Sequence, residues 1–121
     1  MVDAIGHLVQ GRITAGQVHD VTQAQALIDG VPAKYVVADK AYDAQELRRT
    51  IGLMSAKAVI PPRANRIETI RWSKAIYRHR NLVERFFCRI KHYRRIATRY
   101  DKLVERFASF VSLVAAMVCM R

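Results

Sequence analysis

"KYVVADKAYDAQELRRTIGLMSAKAVIPP", residues 34–62, decides the fold class. Tyr35, Val36 and Val37 form a β-branched and aromatic run that breaks at Asp39, which predicts a buried strand ending in an acid. "DAQELRRTIGLM" predicts a helix capped by Asp43, with Leu47 and Ile51 on one face. "KAVI" predicts a second short strand, closed by Pro61 and Pro62. Strand, helix and strand in this order favour an α/β sheet with helices packed on it.

Working outward, "VTQAQALIDG" after Asp20 predicts a helix that Asp20 caps and Gly30 stops. "MVDAIGHLVQGRITAG" alternates apolar and polar residues around Gly6 and Gly11, which predicts a β-hairpin whose second strand is Leu8 to Thr14. On the other side, "RANRIET" is a polar loop. Ser73 then caps a long helix running from about Lys74 to Ala97, and a second helix runs from about Leu103 to the C-terminus. "FASFVSLVAAMVCM", residues 107–120, is apolar, but its 14 residues fall short of the roughly 20 that span a bilayer. It predicts a buried C-terminal helix and no membrane partner. No secretion signal is visible at the N-terminus.

The chain has 121 residues, 51% of them apolar, and fits one small globular domain. Its formal charge is +11, and the distribution says more than the total. Residues 1–62 hold 6 basic and 6 acidic side chains, whereas residues 71–102 hold 11 basic and 2 acidic. So concentrated a positive field fits a polyanion, with nucleic acid the first candidate and an anionic membrane surface the second. Cys88 and Cys119 form no CxxC pair and have no His at zinc-finger spacing, so they read as apolar packing residues of a reducing compartment.

The basic stretch carries one acid in "YRHRNLVERFFCRIK", residues 77–91. At 100° per residue, Leu82, Val83, Phe86, Ile90, Tyr93 and Ala97 form one apolar stripe. Tyr77, Arg80, Glu84 and Lys91 fall within about 60° of one another on a face pointing away from it. Arg78, Arg85, Arg89, Arg94, Arg95 and Arg99 fill much of the remaining surface. Two readings fit Glu84. It pairs with Arg80 on a solvated helix, or it binds a metal that acts on phosphate while the bases hold the nucleic-acid backbone. Asp39 is the natural second carboxylate of such a site, because ligands collect at the carboxyl edge of strands in α/β sheets. It is equally an ordinary turn residue after a strand.

Tyr77, Arg80, Glu84 and Lys91 match the Tyr-x2-Arg-x3-Glu-x6-Lys motif of bacterial insertion-sequence transposases of the DDE type. "VVADKAYD" resembles the second-aspartate block of that family, and "IPPRANR" the segment leading to its glutamate helix. "TAGQVHD" and "RRIATRYDKL" are similar to family segments as well. The resemblance implies a ribonuclease H-like fold with a mixed sheet. Its three carboxylates would bind two divalent ions, Mg²⁺ or Mn²⁺, cut the transposon ends and join them to target DNA.

By this resemblance Asp39 and Glu84 are metal ligands, and Tyr77, Arg80 and Lys91 contact DNA. Its partners are the double-stranded DNA of transposon ends and target, together with further copies of the chain in a synaptic complex, in a cytoplasmic, nucleoid-associated setting. Asp3 stands directly before the Gly6 turn, later than the family's first catalytic aspartate. Residues 1–121 are therefore expected to be the C-terminal part of the catalytic domain, lacking its first strand, with Asp3 structural. The alternative is that Asp3 completes the triad. No module for recognising transposon ends is visible. A second functional reading is a non-catalytic DNA-binding fragment, or a regulator of a full-length transposase.

Overall fold

A computed structural model describes residues 1–14, 18–93, 96 and 104–120. The chain divides into two compact units: residues 16–80 form one, and residues 1–15 with residues 81–121 form the other.

Residues 16–80 contain helix α1 (Val21–Ile28), strand β1 (Tyr35–Val37), helix α2 (Gln45–Leu53), strand β2 (Lys57–Val59) and a short helix α3 (Lys74–Tyr77). β1 and β2 are parallel, with Val36 opposite Ala58, and α2 is the crossover between them. The ladder runs one residue further, since the Ala38 amide donates to the Val59 carbonyl at 3.3 Å. This delivers Asp39 to the carboxyl edge of the sheet, as its place after the apolar run predicts. β1 is half-buried rather than buried, with Tyr35 exposed.

α2 forms because Leu47 and Ile51, one helical turn apart, share the inner face while Gln45, Glu46 and Arg49 face water. Ile51 and Ile60 are fully buried, and with Leu47, Val59, Ala24 and Ile28 they make the core of this unit. Each buried isoleucine contributes about 1.5–3 kcal/mol. Gly30 adopts φ +68° just after α1 and stops it as expected. Asp20 makes no side-chain cap, because its own backbone is already helical at φ −58° and ψ −32°.

The other unit contains helices α4 (Asn81–Lys91) and α5 (Val104–Cys119). Its core is Phe86, Ile90, Val114 and Ala115, with Val2, Leu8, Tyr93, Ile96, Phe110 and Val118 packed around it. The expected N-terminal hairpin is reduced to a single antiparallel bridge, Val2 to Leu8. The Val9 and Gln10 amides both donate to the Met1 carbonyl, at 3.1 and 3.5 Å. Gly6 is buried at φ +85°, a conformation that favours glycine.

Three further expectations need correction. The single helix expected from Lys74 to Ala97 is broken by a 3₁₀ turn at Arg78–Arg80. There His79 Nδ1 lies 3.1 Å from the Ile76 carbonyl, a side-chain contact that competes with the helical ladder. Ser73 does cap α3, accepting from the Ile76 amide at 3.3 Å. The C-terminal helix buries Val114 and Ala115 but leaves Leu113 and Met117 58% and 40% exposed, because its apolar residues run all the way round it. Cys88 is exposed on α4 rather than packed, and Cys119 is half-buried; both are free thiols. Ala97, Arg94, Arg95 and Arg99 lie outside the described residues. No described helix is long and apolar enough to cross a membrane.

The end of α2 stores backbone strain. Ser55 sits at φ +60°, its amide donates to the Gly52 carbonyl at 3.0 Å, and the Ala56 amide donates to the Ile51 carbonyl at 3.2 Å. That is a Schellman turn with serine where glycine is favoured. Ser55→Gly should therefore stabilise the protein by about 1 kcal/mol, read as a raised urea midpoint. A lowered midpoint would show that the serine side chain compensates for its backbone.

Candidate active site

Asp39 follows β1 and opens a 3₁₀ turn, Lys40–Tyr42. Its Oδ1 accepts from the Ala41 amide at 2.8 Å, and its Oδ2 lies 4.0 Å from Arg80 Nη1. The side chain is 40% exposed. Burial pushes the Tyr42 hydroxyl upward, and the negative charges of Asp20 and Asp39 push it further.

The sheet thus brings Asp39 and Arg80 together although they are far apart in sequence. Tyr77, also in residues 16–80, ends α3 half-buried and meets the Trp72 ring edge-on at 5.2 Å between centroids. Glu84 and Lys91 belong to the other unit. Both are exposed on α4, Glu84 in its first turn and Lys91 in its last, seven residues and about two turns apart. Arg85 and Arg89 are exposed on the same helix, and Arg78 and His79 on the preceding turn.

Asp43 is the residue that local reading misassigns. It does not cap α2. Ala44 takes the N-cap position with an extended backbone, and Asp43 is drawn inside to 5% exposure. Its Oδ1 accepts from Arg48 Nε at 2.8 Å and from Arg66 Nη2 at 2.9 Å. Its Oδ2 accepts from the Arg63 amide at 2.7 Å and from Arg66 Nε at 2.9 Å. Every acceptor direction of the carboxylate is thus used. Arg48 also donates to the Ile60 carbonyl at 2.7 Å, which ties α2 to the end of β2. Burial alone would raise the Asp43 carboxyl, but hydrogen bonds from Arg66, the Arg63 amide and Arg48 outweigh it and hold the group well below the usual carboxylate range. The same pairing raises Arg66. The sequence signal for this cluster was Arg63 and Arg66 in "IPPRANR", a basic pair in a loop with no acid of its own before Glu68.

Asp3 is occupied in a turn. Its Oδ1 accepts from the Ile5 and His7 amides, both at 2.9 Å, and the His7 amide first among its neighbours holds the carboxyl below its ordinary value. This fits the structural role expected of it.

Asp39 and Glu84 offer hard oxygen donors on accessible surface, the donor type that Mg²⁺ and Mn²⁺ take. They fit such ions chemically. Among the described residues, no three His, Cys, Asp or Glu side chains are grouped as a ready metal cage.

A strand-end aspartate in a parallel strand-helix-strand unit, and a glutamate on a basic helix, are the features of DDE-type insertion-sequence transposases. The chain belongs to that family: the family described as "Transposase DDE domain" matches residues 1–119. The chain is 38% identical over 125 residues to "Putative transposase for insertion sequence element IS6501" of Brucella ovis, an alignment covering all of this chain and 95% of that protein. It is 26% identical over 131 residues to "Putative transposase for insertion sequence element IS402" of Burkholderia cepacia, covering 98% of this chain and 60% of that protein. No solved structure matches it. Membership places the chain among the proteins of DNA transposition.

The buried charge cluster makes stability pH-dependent. Asp43 has a folded pKa below its unfolded value of about 3.9, so its contribution is complete above that value and is lost as pH falls toward the folded one. Asp43→Asn should cost about 2–3 kcal/mol near pH 7, and the gap to wild type should narrow below about pH 4 in urea unfolding. A gap that stays constant down to pH 3 would remove the charge from the explanation.

Proposed function

We propose that this chain carries the catalytic carboxylates of metal-dependent DNA transposition, cleavage of transposon ends and transfer of the freed strand to target DNA, on a ribonuclease H-like fold. Asp39 and Glu84 are two of the three carboxylates and would hold Mg²⁺ or Mn²⁺. The ions would supply charge neutralisation at the attacking and leaving oxygens of phosphate. The observation that carries this reading is the position of Asp39: at the carboxyl edge of parallel strands, partly exposed, with an arginine from the motif 4.0 Å away.

The chain's own residues have distinct tasks. Arg80 sets a positive charge 4.0 Å from Asp39, where it would meet a phosphate oxygen of bound DNA. Tyr77 is steadied by Trp72 and offers a hydroxyl donor. Lys91, with Arg85 and Arg89 on α4, neutralises backbone phosphates along the duplex. The commitment of Asp3 to its turn supports a third carboxylate supplied from outside residues 1–121. Self-association in a synaptic complex would set one copy at each of two DNA ends.

DNA affinity should fall steeply as salt rises. Mn²⁺-dependent cleavage of DNA carrying the element's ends should be slow for this chain alone. Asp39→Asn and Glu84→Gln should each reduce it on the order of a hundredfold or more, with DNA affinity nearly unchanged. Cleavage that survives both substitutions would overturn the reading. Cleavage that is efficient and stopped by Asp3→Asn would instead make Asp3 the third ligand.

A further inference from the structure

The turn that carries Asp39 is held from outside by a second set of residues that the transposition motif does not include. Arg63 Nη2 donates to the Ala41 carbonyl at 2.7 Å, and its Nε donates to the Lys40 carbonyl at 3.3 Å. Lys40 and Ala41 are the two residues directly after Asp39, and the Ala41 amide is the one that binds Asp39 Oδ1. The Arg63 backbone is itself fixed, because its amide donates to buried Asp43. Asp43 closes the circuit: its own amide donates to the Lys40 carbonyl at 3.2 Å, and Arg66 grips both of its oxygens.

A loop residue such as Asp39 has no ladder beyond Ala38 to orient it. A carboxylate that must meet a metal within a fraction of an ångström needs a supporting set of bonds of this kind. Arg63 is exposed, so its two carbonyl contacts add little to the core that already surrounds Ile51 and Ile60. Their evident object is the turn.

We propose that Asp43, Arg63 and Arg66 form a clasp that positions Asp39, with buried Asp43 anchoring Arg63 and the Arg63 guanidinium gripping the Lys40 and Ala41 carbonyls so that the Asp39 carboxylate is presented in one orientation. Arg63 and Asp43 are positioning residues; they touch neither metal nor DNA in this role. The inference rests on the reading of Asp39 as a metal ligand for its purpose, but not for its geometry.

The test uses the full chain in two measurements. In the first, amide exchange is followed at Ala41 and Tyr42 relative to Ile51 and Val59 in the same sample, for wild type, Arg63→Ala and Asp43→Asn. The clasp predicts that Arg63→Ala, which spares the core, speeds exchange at Ala41 and Tyr42 about tenfold relative to Ile51. Asp43→Asn should act in the same direction. Equal rates in wild type and Arg63→Ala, or acceleration spread evenly to Ile51 and Val59, would overturn the proposal.

In the second, Mn²⁺ is titrated while the broadening of the Lys40 and Ala41 signals is recorded. Wild type should broaden at the lowest Mn²⁺, Arg63→Ala should need about tenfold more, and Asp39→Asn should lose the site. Broadening in Arg63→Ala that matches wild type would refute the positioning role. Should Mn²⁺ never reach Lys40 and Ala41 in wild type while Arg63→Ala still loosens the turn, the metal reading of Asp39 fails and the clasp stands.

Discussion

The Asp43 carboxylate is the one buried charge among the described residues, and residues 16–80 are arranged around it. An ionised carboxylate leaves water only when every lone pair is met by a donor. Here the donors come from α2 through Arg48 and from the loop beyond β2 through Arg63 and Arg66. No apolar contact could impose the same constraint, because packing tolerates small slips whereas a carboxylate with four directed bonds does not. The turn after β1, the first residues of α2 and the loop at residues 63–66 therefore have one mutual arrangement. That arrangement sets Asp39 at the edge of the two strands, with Arg80 beside it.

Charge is organised differently in the two units. In residues 16–80, Arg48, Arg63 and Arg66 are bound to Asp43 and to main-chain carbonyls. On α4, Arg85, Arg89 and Lys91 are exposed. The first group shapes the protein; the second suits a polyanion held by its backbone and read little by its bases. This division lets a chain with a net charge of +11 fold while its α4 cations remain exposed.

The elements legible in sequence were those set by local rules. The β-branched run at Tyr35–Val37, the i, i+4 pair Leu47 and Ile51, the glycine stop at Gly30 and the Ser73 cap all appear where periodicity and capping put them. What failed depended on partners distant in sequence or on competition within a turn. Asp43 before a helix looks like a cap, and only Arg63 and Arg66, some 20 and 23 residues on, reveal that it is buried. The break at Arg78–Arg80, where His79 Nδ1 lies 3.1 Å from the Ile76 carbonyl, is one that helical periodicity does not encode. The N-terminal hairpin is reduced to one bridge, Val2 to Leu8, because alternation marks residues that can pair and does not say how far the pairing runs. For the site, the motif spacing singled out Tyr77, Arg80, Glu84 and Lys91, and the strand end singled out Asp39. The residues that orient Asp39 lie outside both signals.

The central proposal is that Asp39 and Glu84, 45 residues apart in sequence, are both ligands of the divalent ions that transposition chemistry needs. Crystals grown with Mn²⁺ and a DNA duplex, with the ion located by its anomalous scattering, would test it most directly. The account predicts Mn²⁺ about 2.1 Å from a carboxylate oxygen of Asp39 and Mn²⁺ about 2.1 Å from one of Glu84, the octahedral distance of a small hard cation. Either carboxylate left without an ion, turned to solvent or to an arginine, would contradict it.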